Sequence, residues 1–276
     1  MKSTQTVITL AVSSVLLALT YGATAQSIKP AVATIVRVQG EARYSLGDNA
    51  WHPLVAGKVL NVGAVIQSAA DSTVDLVLSG KPVLMPQVDS TPDAIASAPD
   101  PNVRGLVSHT SLVEQNVVRI QGNTVLAIDK LTVSDTGADT VSDVELNLRS
   151  GQVFFNVKKM SATSQYIIKI PNGVAGIRGS SGGLNAEGGM QMNNGTGIVS
   201  IIRNGSPVTS IVNAGFQFNP HNGSVTPLSD ELLRELNATV TAISTLYHQE
   251  FVSLAHDQTT VRVKPVEPVV SPTTPE

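Results

Sequence analysis

Apolar residues at every second position constrain this chain more than any other feature. Val144, Leu146 and Leu148 alternate with Glu145, Asn147 and Arg149. In a strand that puts one set on a buried face and the other in water. Val74, Leu76 and Leu78 do the same around Asp75, and Tyr166, Ile168 and Ile170 share a face opposite Lys169. The same pattern predicts short strands at Val32–Val38, Val117–Gln121, Val125–Asp129, Gly151–Val157, Ile198–Arg203, Val208–Val212 and Phe216–Phe218. Turn residues separate them: Leu46-Gly47-Asp48-Asn49, Ser79-Gly80, Gln121-Gly122-Asn123 and Asn204-Gly205-Ser206. Asn204-Gly205 between two apolar runs is the sharpest hairpin signal, because a type I′ turn needs positive φ at both positions. The expected fold is all-β: a sandwich, roll or short β-solenoid of many short strands.

Three segments break the pattern. Residues 82–101 are rich in proline, which cannot donate to a sheet ladder, so a surface loop is expected there. Further on, Ser229 is placed to cap a helix whose first turn carries Asp230 and Glu231. Leu232, Leu236, Val240, Ile243, Tyr247, Phe251 and Leu254 follow at steps of three and four, one apolar stripe. The spacing predicts a C-terminal amphipathic helix over 229–256, packed on its own domain; the alternative is a docking helix for a partner or for self-association. The tail, 257–276, holds Pro265, Pro268, Pro272 and Pro275 and reads as an extended or disordered end.

The first 25 residues read as an address. Met1-Lys2 give a positive start, Val7–Leu19 an uncharged, largely apolar run, and Ala23-Thr24-Ala25 a small-x-small site for signal peptidase. Cleavage is expected between Ala25 and Gln26. The run has 13 residues, short of the roughly 20 a spanning helix needs. A periplasmic or secreted protein without a membrane anchor is expected after signal removal. At 42% hydrophobic and 14% charged residues, there is material for a core, which excludes wholesale disorder. A net charge of −3 disfavours a nucleic-acid binder that works by neutralising phosphates. With no cysteine, disulfides, thiolate zinc sites, iron–sulfur clusters and cysteine nucleophiles are excluded together.

Catalytic and cofactor signatures fail on context. Gly179-Ser180-Ser181-Gly182-Gly183 matches G-x-S-x-G, but a nucleophile elbow needs a strand before it and a helix after it. Turn-like residues follow instead, so Ser181 reads as a turn residue and the glycines as close strand turns. No Gly-Lys-Ser/Thr ending makes it a phosphate loop. His52, His109, His221, His248 and His256 form no H-x-x-x-H or H-E-x-x-H pair. The scattered acids form no calcium loop. No enzyme, cofactor or metal site is expected.

One stretch resembles a known family. Trp51-His52-Pro53-Leu54, Gly57, Leu60, Gly63 and Ile66, leading to Leu76-Val77-Leu78-Ser79-Gly80, has the W-x-x-L-x-x-G-x-x-L-x-x-G-x-x-I spacing of the FecR domain of bacterial envelope proteins. Leu148-x-x-Gly151 resembles that family's step into a strand. Ile170-Pro171-Asn172-Gly173-Val174-Ala175-Gly176-Ile177-Arg178-Gly179-Ser180 is similar to its T-P-x-G-x-A-x-V-R-G-T signature, with Ser180 where threonine is usual. The resemblance implies a FecR-like β-domain over 32–218. Its positions Trp51, Leu54, Gly57, Gly63, Gly80, Pro171, Arg178 and Gly179 read as structural. Arg178 is expected to hold loop carbonyls or a carboxylate with its planar fork. Trp51 is the only tryptophan; it is expected to be buried, and the alternative is an exposed indole stacking on a sugar or partner.

A regulatory member of the family carries a cytoplasmic anti-sigma segment and a membrane helix before the domain. Only six residues precede the apolar run here, so the signalling role is not expected to carry over. The expected function is a non-enzymatic, exported binding or scaffold protein of the bacterial envelope, presenting a β surface to a protein or glycan. The alternative is a soluble periplasmic component of an iron-uptake or envelope signalling system.

Overall fold

Two large β-sheets lie face to face and share one hydrophobic core. The structure, a computed structural model, describes residues 28–48, 50–79, 106–112, 116–135, 139–244, 248–254 and 260–262. The expected signal segment with Ala25 and Gln26, the proline-rich residues 82–101 expected as a loop, Gly80 and residues 263–276 lie outside the described residues.

The strands run in chain order as β1 (Ile28–Pro30), β2 (Val32–Gln39), β3 (Ala42–Ser45), β4 (His52–Pro53), β5 (Val59–Leu60), β6 (Val65–Ser68) and β7 (Thr73–Ser79), then β8 (Leu106–Leu112), β9 (Asn116–Ile120), β10 (Val125–Asp135), β11 (Thr140–Ser150) and β12 (Gln152–Asn156). They continue with β13 (Gln165–Ile170), β14 (Gly173–Ile177), β15 (Ser181–Asn185), β16 (Met190–Asn194), β17 (Thr196–Arg203), β18 (Ser206–Asn213), β19 (Phe216–Asn219) and β20 (Ser224–Pro227). Helix α1 (Asp230–Ser244) and strands β21 (His248–Leu254) and β22 (Thr260–Arg262) complete the described residues.

The first sheet has the order β18-β17-β14-β13-β11-β10-β6-β3-β4, with β1 also on β10. The second runs β20-β19-β16-β15-β12-β9-β7-β2-β5. A separate small sheet pairs β22, β21 and β8.

From β9 onward the chain advances along both sheets together. It lays a strand or a pair in one sheet, crosses, lays the next in the other, and returns. One return trip through β12 brings β13 beside β11 in the same direction, Leu146 opposite Ile168, the parallel pair of an otherwise antiparallel sheet. Apart from Leu184, which lies in a segment expected to be turn-like, the inner faces are the alternating residues read from the sequence. Leu126, Ile128, Leu146, Leu148, Ile168 and Tyr166 of the first sheet meet Ile35, Leu76, Ile120, Val153, Phe155 and Leu184 of the second, all at most 2% exposed. This is a sandwich. The Asn204-Gly205 turn joins β17 to β18 with φ of 50° and 77°, and Arg203 pairs with Ser206 across it.

Helix α1 forms a third layer on the outer face of the second sheet. Ser229 caps it: the Leu232 N–H donates to Ser229 Oγ at 3.3 Å. Leu228 before the cap packs with Leu233 after it, a hydrophobic staple. Leu236, Val240 and Ile243 are buried, and Ile243 meets Val36, Val77 and Val117 with Phe154 beside them.

The helix is shorter than the stripe predicted. It ends at Ser244, and residues 248–254 form β21 against β8. Ser244 Oγ donates back to the Val240 carbonyl at 2.7 Å and accepts from Asn156 Nδ2 at 2.7 Å, which ties the last turn to β12. Beyond it, Phe251 and Leu254 sit with Val252 in a short apolar run that serves a strand as well as a helix. Thr260–Arg262, read as tail, pairs as β22.

Two further expectations change. The β7 face around Asp75 is not wet: Asp75 and Val77 are both fully buried, because the second sheet is covered on both sides. Ser181–Asn185 is a strand, not a run of turns; the turn comes later, at 186–188. Gly182 is needed there for closeness, since a Cβ would land on the Gln191 carbonyl oxygen of β16.

Candidate functional site

The first sheet ends at β4, only two residues long, and beside that edge lies a cleft of about 830 Å³. Gly40, Glu41, Ala42, Arg43, Trp51, His52, Pro53, Leu54, Gln67, Asn123 and Ser150 are among its lining residues. Strand alternation builds it. Tyr44 points to the core at 8% exposure while its neighbour Arg43 points out. Leu54 anchors the segment after β4: it is buried, and its N–H donates to the Ala42 carbonyl at 2.8 Å.

Trp51 is 42% exposed, so the expectation of a buried indole is corrected. The core beneath is filled by Tyr44, Leu54 and Ile66, which leaves the ring outside, against Arg43. The Arg43 guanidinium carbon lies 4.5 Å from the ring centroid, within cation–π range. Arg43 Nε donates to Gln67 Oε1 at 2.8 Å, which fixes the guanidinium over the ring. On the far side of β4, the His52 ring is 5.4 Å from Tyr44, and His52 Nε2 is 3.6 Å from Asp48 Oδ2. The Ala50 N–H donates to Asp48 Oδ1 at 3.2 Å and, with smaller help from His52, holds the Asp48 carboxyl below its usual range. Gly57 and Gly63 turn the chain between the flanking short strands, with φ of 87° and 92°.

The other motif lies at the opposite end of the first sheet. Pro171 is exposed in the β13–β14 turn. Arg178 is also exposed, and its side chain has no hydrogen-bond or ion-pair partner among the described residues. The tie expected of Arg178 is made by Ser180. Its buried hydroxyl lies 2.9 Å from both the Arg178 and the Thr196 carbonyls, which share its single proton, and it accepts from the Thr196 N–H at 3.0 Å. Gly179, with φ of 58°, sets up that corner. Ser181 is 5% exposed in β15, where its backbone stands in register with Asn156 and Asn194. Among the described residues no group of three or more His, Asp or Glu could hold a metal ion, and no helix is long and apolar enough to cross a membrane.

Sequence reasoning missed Arg43, Gln67, Glu41 and Asn123 as cleft residues. It also missed a buried charge pair on the second sheet. Arg119 Nε and Nη2 donate to Asp75 Oδ1 and Oδ2 at 2.7 and 2.9 Å. Arg37 Nε is 3.0 Å from Asp75 Oδ2 but off the hydrogen-bonding direction, a charge neighbour rather than a donor. A signal existed: Asp75 between Val74 and Leu76, and Arg119 between Val118 and Ile120, are lone opposite charges inside apolar strands.

Residues 108–199 match the family described as FecR protein. The match bears out the resemblance over the central strands of both sheets, including Pro171, Arg178 and Gly179; it stops short of the Trp51 motif and covers under half of the 276 residues. Two crystal structures of a "putative anti-sigma factor" from Parabacteroides distasonis are similar over 45% of this chain, at 16% and 17% identity with TM-scores of 0.30 and 0.31. The aligned part spans 60% of one and 56% of the other, under two thirds of their length. At those scores the likeness bears on neither fold nor function. No curated protein matches the chain.

Proposed function

We propose that the protein is a non-enzymatic, exported binding protein of the bacterial envelope, in which a FecR-like β-sandwich presents the Trp51 cleft to a partner. The observation that carries this reading is the exposed Trp51, held against Arg43 at the rim of an open cleft. A large aromatic left in water beside a fixed cation is what binding surfaces use and cores do not. A second reading, a component of a FecR-type signalling system, draws on the profile match at 108–199.

Export and binding are tested together. Fractionation of cells making the tagged full chain, followed by mass analysis of the N-terminus, is expected to give envelope protein beginning at Gln26. Cytoplasmic protein retaining Met1 removes the export claim. Ser181→Ala is expected to change nothing. Covalent labelling of native Ser181 by a fluorophosphonate probe removes the non-enzymatic claim.

A further inference from the structure

We propose that the Trp51 cleft is a saccharide site, taking an uncharged pyranose unit of an oligosaccharide against the indole. The inference rests on the reading of the cleft as a binding surface and gives its ligand a chemical class.

The argument is from the mixture of groups. A pyranose has one flat, C–H-rich face and a rim of hydroxyls, each both donor and acceptor. It needs an aromatic plane plus several planar polar side chains that offer donors and acceptors together. The cleft has that set. Trp51 supplies the plane: it is 42% exposed with Arg43 over one face, and the sugar takes the other. Arg43 spends Nε on Gln67 and keeps its Nη donors unpaired among the described residues. Gln67, with its oxygen engaged by Arg43, presents its NH₂. Glu41 adds a carboxylate acceptor and Asn123 an amide that both donates and accepts, and Ser150 joins them on the lining.

Charge argues against an ionic ligand. One carboxylate and one guanidinium offset each other in the cleft, so no field of one sign is focused there, as capture of an anion or cation requires. Size agrees: about 830 Å³ lies in the range of about 300–1,000 Å³ common for small-molecule sites. An extended peptide added to the edge at β4 is the competing occupant. Strand β4 offers only His52 and Pro53, and proline has no N–H to donate, so the edge is poor for strand addition.

The test uses the protein's single tryptophan, whose emission reports the cleft alone. The full mature chain is titrated with chitotetraose, cellotetraose and maltotetraose, and separately with a library of uncharged hexapeptides. Saturable blue shift with at least one saccharide is expected. Calorimetry with that saccharide is expected to give affinity weakened about tenfold or more in Trp51→Ala. Gln67→Ala, which frees Arg43 from its anchor, is expected to weaken it in the same direction, and Trp51→Phe to restore part of it. Unchanged circular dichroism in each variant shows that the sandwich is intact. Saturation by hexapeptides and by no saccharide overturns the sugar assignment and leaves the cleft a binding surface. No change with any probe, with Trp51 emission already insensitive to acrylamide, overturns both.

Discussion

At the scale of single residues, the two most exposed to test are buried polar groups. The Asp75 carboxylate is fully buried, with both oxygens engaged by Arg119. Removing one partner strands the other charge in the interior, which costs about 3–5 kcal/mol where pairs of this kind have been broken. Asp75→Ala is therefore expected to lower the urea midpoint by an amount of that order. The double variant Asp75→Leu with Arg119→Met should recover much of the loss, because the one charge it leaves unpaired, Arg37, has a side chain 36% exposed that reaches water. If the double variant is no more stable than the single one, the pair is not the cause. Tyr166 is different. Its hydroxyl is buried with no partner among the described residues, and burial pushes its phenol pKa up. The sign follows directly. Above about pH 10 an unfolded chain's tyrosine ionises, while the folded one stays protonated. The unfolded state then binds fewer protons, and stability falls as pH rises through that range. Wild type is expected to lose more stability between pH 7 and about pH 11 than Tyr166→Phe, and at pH 7 the variant should be at least as stable, since phenylalanine removes a buried hydroxyl that has no partner among the described residues. Equal alkaline losses in urea titrations sink the idea.

At the scale of elements, local chemistry decided what could be read in advance. The β17–β18 hairpin was legible because Asn204-Gly205 has one good backbone solution, and its φ values are that solution. Nothing lies within 4 Å of a Cβ added to Gly205, so Gly205→Ala meets no clash and pays only for positive φ. A loss of about 1 kcal/mol is expected, and Gly205→Asn should recover part of it because asparagine tolerates that region. A loss several times larger in thermal melts means that the glycine is packed, not merely bent. The cap at Ser229 was legible for the same reason. The end of α1 was not. The stripe continues in steps of three and four past Ser244, and the tie from Asn156 that accompanies the last turn comes from a residue 88 positions away. Trp51 was misread on similar grounds: its neighbours said nothing about Tyr44, Leu54 and Ile66 already filling the core beneath it.

At the scale of the whole molecule, alternation told which residues face inward but not how many layers the fold has. A strand with one apolar face looks the same whether its other face meets water or a helix, and Asp75 beside Val77 was read as wet for that reason. The fold depends on the third layer. Without α1, the outer face of the second sheet exposes Val36, Val77, Val117 and Phe154 as one patch, and loses the burial of Leu236, Val240 and Ile243. Three aliphatic side chains returned to water are worth on the order of 5 kcal/mol, a large part of a typical domain stability of about 5–15 kcal/mol. A chain ending at Pro227 is thus expected to melt far below the full chain and to bind a hydrophobic dye in its native state. Leu236→Asp in the full chain tests the same layer without truncation: the helix can still form, since Ser229 and the acidic first turn are intact, but it can no longer dock. Both changes should expose the same patch, with the β signal in circular dichroism kept at low temperature. If the truncated chain is as stable as the full one and dye-silent, the helix is an ornament on a two-layer sandwich, and the layered account of this fold is wrong.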